Sequence, residues 1–259
     1  MGTVIFSDVH ADAEALSLVA TYIRDPSFSL CFGPVDTLVN LGDLLHRGNC
    51  PEPTLELIHD LAREFQLVSV IGNHDHAFLN GVPVSGSDET STSRHEKLRG
   101  SPLLDIFSDM PMEWVAGPVL FVHGGPLDLG TQTLRLKCWQ RLSRTAGDSF
   151  TGYHYTAPMA FDALEKRGLS YMVCGHQHTH ICCRKTIDGI REHLIRFVQK
   201  KDAVCPGGEI EAARIPLDMP TLFRIGGCHG DRPEFAYVDD NAFTYIRLQS
   251  CAPLDDSAL

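Results

Sequence analysis

Short apolar runs, each cut off by polar residues, punctuate the first third of the chain. Residues 3–6 (TVIF) stop at Ser7-Asp8. A run so short and so abruptly ended predicts a strand buried on both faces. Residues 13–23 then set Ala15, Leu16, Val19, Ala20 and Ile23 at helical spacing. A second strand-like run, 36–41 (DTLVNL), ends at Gly42-Asp43. Pro51 and Pro53 open a helix whose apolar face is Leu57, Ile58, Leu61 and Phe65. A third run, 67–71 (LVSVI), ends at Gly72-Asn73-His74-Asp75. Strands and helices in this alternation predict an α/β fold, with a parallel sheet covered by helices.

Residues 82–101 are rich in Ser, Thr, Gly and charge, and read as a loop or a flap. Residues 103–107 read as a short helix. The stretch 114–122 breaks like a hairpin at Gly117-Pro118, and its strand 119–122 runs into His123-Gly124-Gly125. A helix over 158–167 is stopped by Gly168, and a strand over 169–174 runs into Gly175-His176-Gln177-His178. Strand-like runs at 222–225, 235–238 and 243–248 predict a second, more antiparallel sheet packed on the first. Residues 184–219 read as a possible insertion with a helix near 190–200. No repeat or linker divides the 259 residues, which read as a single domain, 1–259.

Charge and cysteine content narrow the function. Lys and Arg total 22 against 33 Asp and Glu, a net charge of −11. Such a surface repels a phosphate backbone, so a long nucleic acid is not an expected partner. Nine cysteines, an odd number with no CxxC pair, argue for a reducing, cytoplasmic compartment. The first residues lack the basic and apolar segments of a signal peptide. Phe6 stands where a myristoylation motif wants Ser or Thr. No apolar run reaches the roughly 18 residues of a membrane span, so no membrane is expected.

Ligand sites in open α/β sheets form beyond the carboxyl ends of the strands. Here those ends read Asp8-x-His10, Gly42-Asp43, Gly72-Asn73-His74-Asp75, His123-Gly124-Gly125 and Gly175-His176-x-His178. Asp8, His10, Asp43, Asn73, His123, His176 and His178 offer N and O donors to a divalent metal, and no motif ligand is a cysteine. Seven donors exceed the four of one tetrahedral zinc and suit two metals sharing a carboxylate. Such a pair lowers the pKa of water, so that a metal-bridging hydroxide attacks phosphorus while both metals clamp the reacting oxygens. The mixed donors suit Mn, Fe, Zn, Co or Ni. Each residue alone has a plainer explanation. Asp43 could cap a turn, Asn73 could fill a left-handed turn, and His123 could be a satisfied loop histidine.

Together these blocks resemble the calcineurin-like metallophosphoesterase superfamily, whose pattern is D-x-H, G-D, G-N-H-[DE], H and G-H-x-H. All five stand in order from Asp8 to His178. The resemblance implies a four-layer α-β-β-α sandwich of two mixed sheets, with a dinuclear site at the strand carboxyl ends. It implies that Asp8, His10 and His178 hold one metal, that Asn73, His123 and His176 hold the other, and that Asp43 bridges; Mn or Fe are the favoured ions. His74 resembles the general acid, with Asp75 orienting its imidazole, and Asn73 also lies where substrate binds. Arg47 resembles the phosphate-gripping arginine of the serine/threonine protein phosphatase branch. That branch has Asp and Glu where His46 and Asp75 stand here. The tail 225–233 (IGGCHGDRP) resembles a shorter bacterial phosphodiesterase-like branch, which has N-P-G-S there.

The implied reaction is hydrolysis of a phosphomonoester or phosphodiester in a small phosphorylated substrate or a phosphoprotein. Alternatives are a serine/threonine-type protein phosphatase, a dinucleoside polyphosphate hydrolase, and a metal-binding scaffold without catalysis. His180 lies beyond the pattern and His229 outside it, so neither is assigned. His46 reads as an exposed loop histidine, and His59, His76, His95, His154 and His193 as surface or helix residues. Cys174 reads as core, and Cys182 and Cys183 as free thiols.

Overall fold

The computed structural model describes residues 2–200 and 208–250. Its first segment alternates as expected: β1 (Thr3–Phe6), α1 (Ala13–Arg24), α2 (Pro26–Phe32), β2 (Thr37–Asn40), α3 (Pro51–Glu64) and β3 (Gln66–Ser69). The side chain of Asp12 caps α1 by accepting from Ala15 N, and Pro51 opens α3. The three strands are parallel neighbours, with Leu38 opposite both Val4 and Leu67. α4 (Asn73–Asn80) follows at once, and α5 (Glu89–Glu96) lies within the stretch read as a flap. β4 (Glu113–Ala116) and β5 (Val119–Val122) form the expected hairpin. β6 (Arg141–Leu142), β7 (Gly147–Ser149) and β8 (Gly152–Tyr155) make a small separate sheet. α6 (Ala157–Glu165) leads into β9 (Tyr171–Cys174). The remaining strands are β10 (Ile181–Thr186), β11 (Gly189–Glu192), β12 (Val198–Gln199), β13 (Gly208–Pro216), β14 (Thr221–Arg224), β15 (Glu234–Val238) and β16 (Ala242–Ser250).

Two large mixed sheets result. One runs β12-β13-β16-β15-β1-β2-β3 and the other β11-β10-β14-β9-β5-β4. Between them lie Ile5, Val39, Phe243 and Tyr245 from the first sheet and Phe121, Val173 and Phe223 from the second. Phe223 stacks on Phe243 with ring centroids 4.1 Å apart. Val4, Leu38 and Phe235 pack outward on Leu16, Phe28, Leu55 and Ile58 of α1, α2 and α3. Leu120, Met172 and Leu222 pack outward on Phe161 and Leu164 of α6. The chain is thus an α-β-β-α sandwich. Among the described residues no helix is long and apolar enough to cross a membrane.

Two expectations need correction. Residues 190–200 are not helical. β11 pairs antiparallel with β10, Lys185 opposite Ile190, through a turn with Gly189 at φ +117°. Half-buried Ile195 and Phe197 then touch the inter-sheet core at a period of two, the spacing of an extended chain. The stretch 184–219 feeds both large sheets, although its residues 201–207 lie outside the described residues. Nor do the late strands form a sheet of their own. β14 sits between β10 and β9, parallel to β9, whereas β15 and β16 extend the first sheet and β15 runs antiparallel to β1.

The Phe223–Phe243 stack joins the two sheets directly. Phe223→Ala should therefore lower unfolding free energy by about 3–5 kcal/mol in urea denaturation. A loss below about 1 kcal/mol would show that other contacts hold the sheets together.

Candidate functional site

Loops from both sheets converge at the carboxyl ends of β1, β2, β3, β5 and β9. Their backbone is unusual. Asp8, His10, Asp43, His176 and His178 all have positive φ, between 51° and 68°. Such a conformation costs a non-glycine residue on the order of 1–3 kcal/mol and persists where surrounding contacts over-determine it. Close backbone approach is part of that surround. A Cβ on Gly42 would overlap the backbone of Gly72, and one on Gly175 would overlap Ser7 Oγ.

The structure brings together all seven residues nominated as ligands. Asp8, His10 and His178 form one group and Asp43, His123 and His176 another, with the donor atoms of each group within 4.8 Å of one another. In the first, His178 Nε2 lies 3.1 Å from His10 Nε2 and 3.3 Å from Asp8 Oδ1. In the second, His123 Nε2 lies 3.2 Å from His176 Nδ1, 3.2 Å from Asn73 Oδ1 and 3.3 Å from Asp43 Oδ2. Asp43 Oδ2 is also 3.8 Å from His10 Nε2, so it faces both groups. All seven are buried except His178, which is partly exposed.

Each carboxylate is fixed through one oxygen and leaves the other free. Asp8 Oδ2 accepts from His176 N, and Asp43 Oδ1 accepts from His74 N in the first turn of α4, both at 2.8 Å. The positive end of the α4 dipole favours the Asp43 charge. Asp8 Oδ1 and Asp43 Oδ2 are buried without a hydrogen-bond partner. An unpaired carboxylate oxygen inside a protein is costly, and a cation removes that cost. His10 Nδ1 donates to Leu45 O at 3.2 Å and His123 Nδ1 to Leu41 O at 2.7 Å. In its neutral form each ring therefore turns an Nε2 lone pair toward the centre of the site. Carboxylate, imidazole and amide oxygen in this arrangement fit two divalent cations.

Electrostatics agree. Burial pushes the Asp43 carboxyl up, but the imidazoles of His123, His74 and His10 outweigh it and hold the group well below the usual range. Burial takes His10 down to about 3 despite Asp43 and Asp8, and takes His176 well below its ordinary value. His123 resists its own burial because Asp43 and Asp8 face it, and rises to about 9. A proton on His123 thus occupies the place where a cation would neutralise the two carboxylates.

The residues around this centre depart in part from expectation. Asp75 does not reach the His74 ring. Its Oδ2 accepts from Asp43 N at 2.7 Å and Gly72 N at 3.2 Å, and its Oδ1 from Leu45 N at 3.0 Å. It ties the Asp43 loop to α4, and burial together with the charge of Asp43 raises its pKa to about 7. His74 Nδ1 is buried without a partner, while His74 Nε2 lies 3.4 Å from Nη2 of the exposed Arg47. His46 is half-buried rather than exposed, with its ring 5.5 Å from that of His74.

His229, left unassigned from sequence, places Nε2 2.8 Å from Nδ1 of His178. Only its Gly-rich turn hinted at a close approach. His180 faces Glu234 Oε2 at 3.0 Å instead of either group. Cys174, Cys182 and Cys183 are buried and free, and burial pushes the Cys174 and Cys182 thiols up to about 12.

Comparison with known proteins gives this geometry a family. The sequence pattern of the calcineurin-like phosphoesterases matches residues 1–180. No curated protein sequence matches the chain. Among solved structures, a metallophosphoesterase from Sphaerobacter thermophilus is 21% identical with a TM-score of 0.62, covering 97% of this chain and 90% of that one. A hypothetical protein from Pyrococcus horikoshii is 12% identical with a TM-score of 0.63, covering 97% and 89%. A serine/threonine phosphatase from Saccharomyces cerevisiae, similar to human phosphatase PP5, is 12% identical with a TM-score of 0.57, covering 98% and 82%. At these identities the three share the fold, and the sequence match over residues 1–180 carries the assignment: the chain belongs to the calcineurin-like phosphoesterase family.

Proposed function

We propose that this chain hydrolyses a phosphomonoester or phosphodiester with two divalent cations. Asp8, His10 and His178 would hold one cation, and Asn73, His123 and His176 the other, with Asp43 shared. The observation that carries this reading is Asp43 Oδ2, a buried oxygen without a hydrogen-bond partner that faces His123 Nε2 at 3.3 Å and His10 Nε2 at 3.8 Å. Mn²⁺ or Fe²⁺ suits the mixed N and O donors. The free cysteines among the described residues suit a reducing, cytoplasmic setting. When bound, the cations supply positive charge to the phosphoryl oxygens and lower the pKa of water into the range of a usable nucleophile.

The chain's own residues bind, orient and protonate. Arg47 borders a cleft of about 390 Å³ that also touches His10, Asn49 and His229. Its guanidinium fork matches two non-bridging phosphate oxygens. His74 Nε2 lies on the side of Arg47, whose guanidinium only donates, so the ring must take up a proton before its Nε2–H can pass to the leaving oxygen. The rings of His10 and His46 pack edge-on against His74 and keep its imidazole from turning away. Asp75 serves through the backbone, by holding Asp43 and the start of α4 in one arrangement.

Protein stripped of metal and reloaded with Mn²⁺ should bind two ions per chain and hydrolyse a chromogenic phosphomonoester, the matching diester, or both. Asp43→Asn should weaken metal binding by more than the about 10–100-fold that loss of an outer partner costs. One ion per wild-type chain at saturation would sink the shared-carboxylate reading.

His74→Ala should lower kcat by about 10²–10⁴-fold on an ester with a poor leaving alcohol. The loss should be far smaller on a nitrophenyl ester, with metal content unchanged. Equal losses on both esters would remove His74 as the acid.

A further inference from the structure

We infer that His95, on α5, is the residue that positions Arg47 for phosphate. The inference rests on the phosphate-binding role proposed above for Arg47. His46 and Arg47 are consecutive residues with φ of 67° and 65°. Two adjacent non-glycine residues in the left-handed region are strained, and something must hold them there.

What holds them comes from residues 87–95. His46 N donates to His95 Nε2 at 2.7 Å, Arg47 N donates to Ser87 Oγ at 2.9 Å, and Arg94 Nη1 donates to Asn49 O at 2.5 Å. Gly86 leaves room for the Arg47 side chain, since a Cβ there would lie 3.3 Å from both Cγ and Nε of Arg47. The stretch read as a flap is therefore a brace under the loop that carries the guanidinium.

His95 is the buried member of this brace, 2% exposed. Its Nδ1 lies 2.8 Å from Ser91 O, one helical turn back. A carbonyl only accepts, so Nδ1 carries the ring proton and Nε2 presents a lone pair to His46 N. Burial favours this neutral form. The ring also packs 5.4 Å from that of His46 and 6.2 Å from that of Phe78. His95 thus acts on the site through the backbone of His46 and the direction it gives Arg47.

The test is a double-variant cycle on the Mn²⁺-loaded enzyme, with KM and inhibition by inorganic phosphate as readouts. His95→Leu fills the buried volume but removes the acceptor. It should raise KM and the phosphate inhibition constant by about 10–100-fold, with two metals still bound. His95→Gln, which can return an oxygen to the Nε2 position, should restore most of the loss. In an Arg47→Ala background His95→Leu should add nothing. Ser87→Ala, which removes only the bond to Arg47 N, should shift both constants in the same direction and serves if His95→Leu does not fold. Full additivity of the two losses, or unchanged constants in both His95→Leu and Ser87→Ala while Arg47→Ala is impaired, would overturn the inference. Unchanged constants in Arg47→Ala itself would instead overturn the phosphate-binding reading of Arg47.

Discussion

Two carboxylates buried at the ends of neighbouring strands constrain everything around them. Asp8 follows β1, Asp43 follows β2, and both are essentially inaccessible. An ionised carboxylate taken out of water costs several kcal/mol unless charge and hydrogen bonds compensate. Part of the compensation is backbone, from His176 N and His74 N. The rest is the facing imidazoles and, by the reading proposed above, the cations. Because His176 follows β9 of the second sheet and His74 lies in α4, the carboxylates tie the packing of the layers to the geometry of the site. A shift between the sheets would separate Asp8 from its donor.

The two ligand groups are not supported alike. His123 and His10 hand their outer ring protons to backbone carbonyls, Leu41 O and Leu45 O, which strands and loops keep in place. His178 meets another side chain, His229, and is itself partly exposed. Asp75 adds a third kind of support. It touches no ligand side chain, yet it collects the N–H groups of Asp43, Gly72 and Leu45 and joins the second loop to α4.

The sequence carries the strand-end residues openly, because a buried strand shows as an apolar run and its end shows as the first polar residue. Asp8, Asp43, Asn73, His123 and His176 were all readable in that way, as was the alternation from β1 to β3. What was not readable depends on partners far away in the chain. His95 is 49 residues from His46, and His229 is 51 residues from His178. No periodicity links such pairs. Asp75 departs from the role the resemblance implies: the first turn of α4 directs its carboxylate to backbone N–H groups instead. In residues 190–200, Ile190, Leu194 and Phe197 fit a helical face as well as an extended chain. Pairing of β11 with β10 decides between them, and pairing is a tertiary fact.

The strand order also bears on how the chain is made. Every nominated ligand precedes residue 179, but neither sheet is complete at that point. β1, which carries Asp8 at its end, waits for β15 to cover its second edge, and β9, which ends just before His176, waits for β14. A nascent chain that has just released His178 from the ribosome holds a full set of donors on strands with unpaired edges. Such edges invite pairing with other chains, and contacts between the first and last strands are slow to form. The same chain order means that a truncated product ending shortly after the family-matching region would keep the ligands and lose the walls that aim them. Both sheets are thus completed by strands that supply none of the nominated ligands.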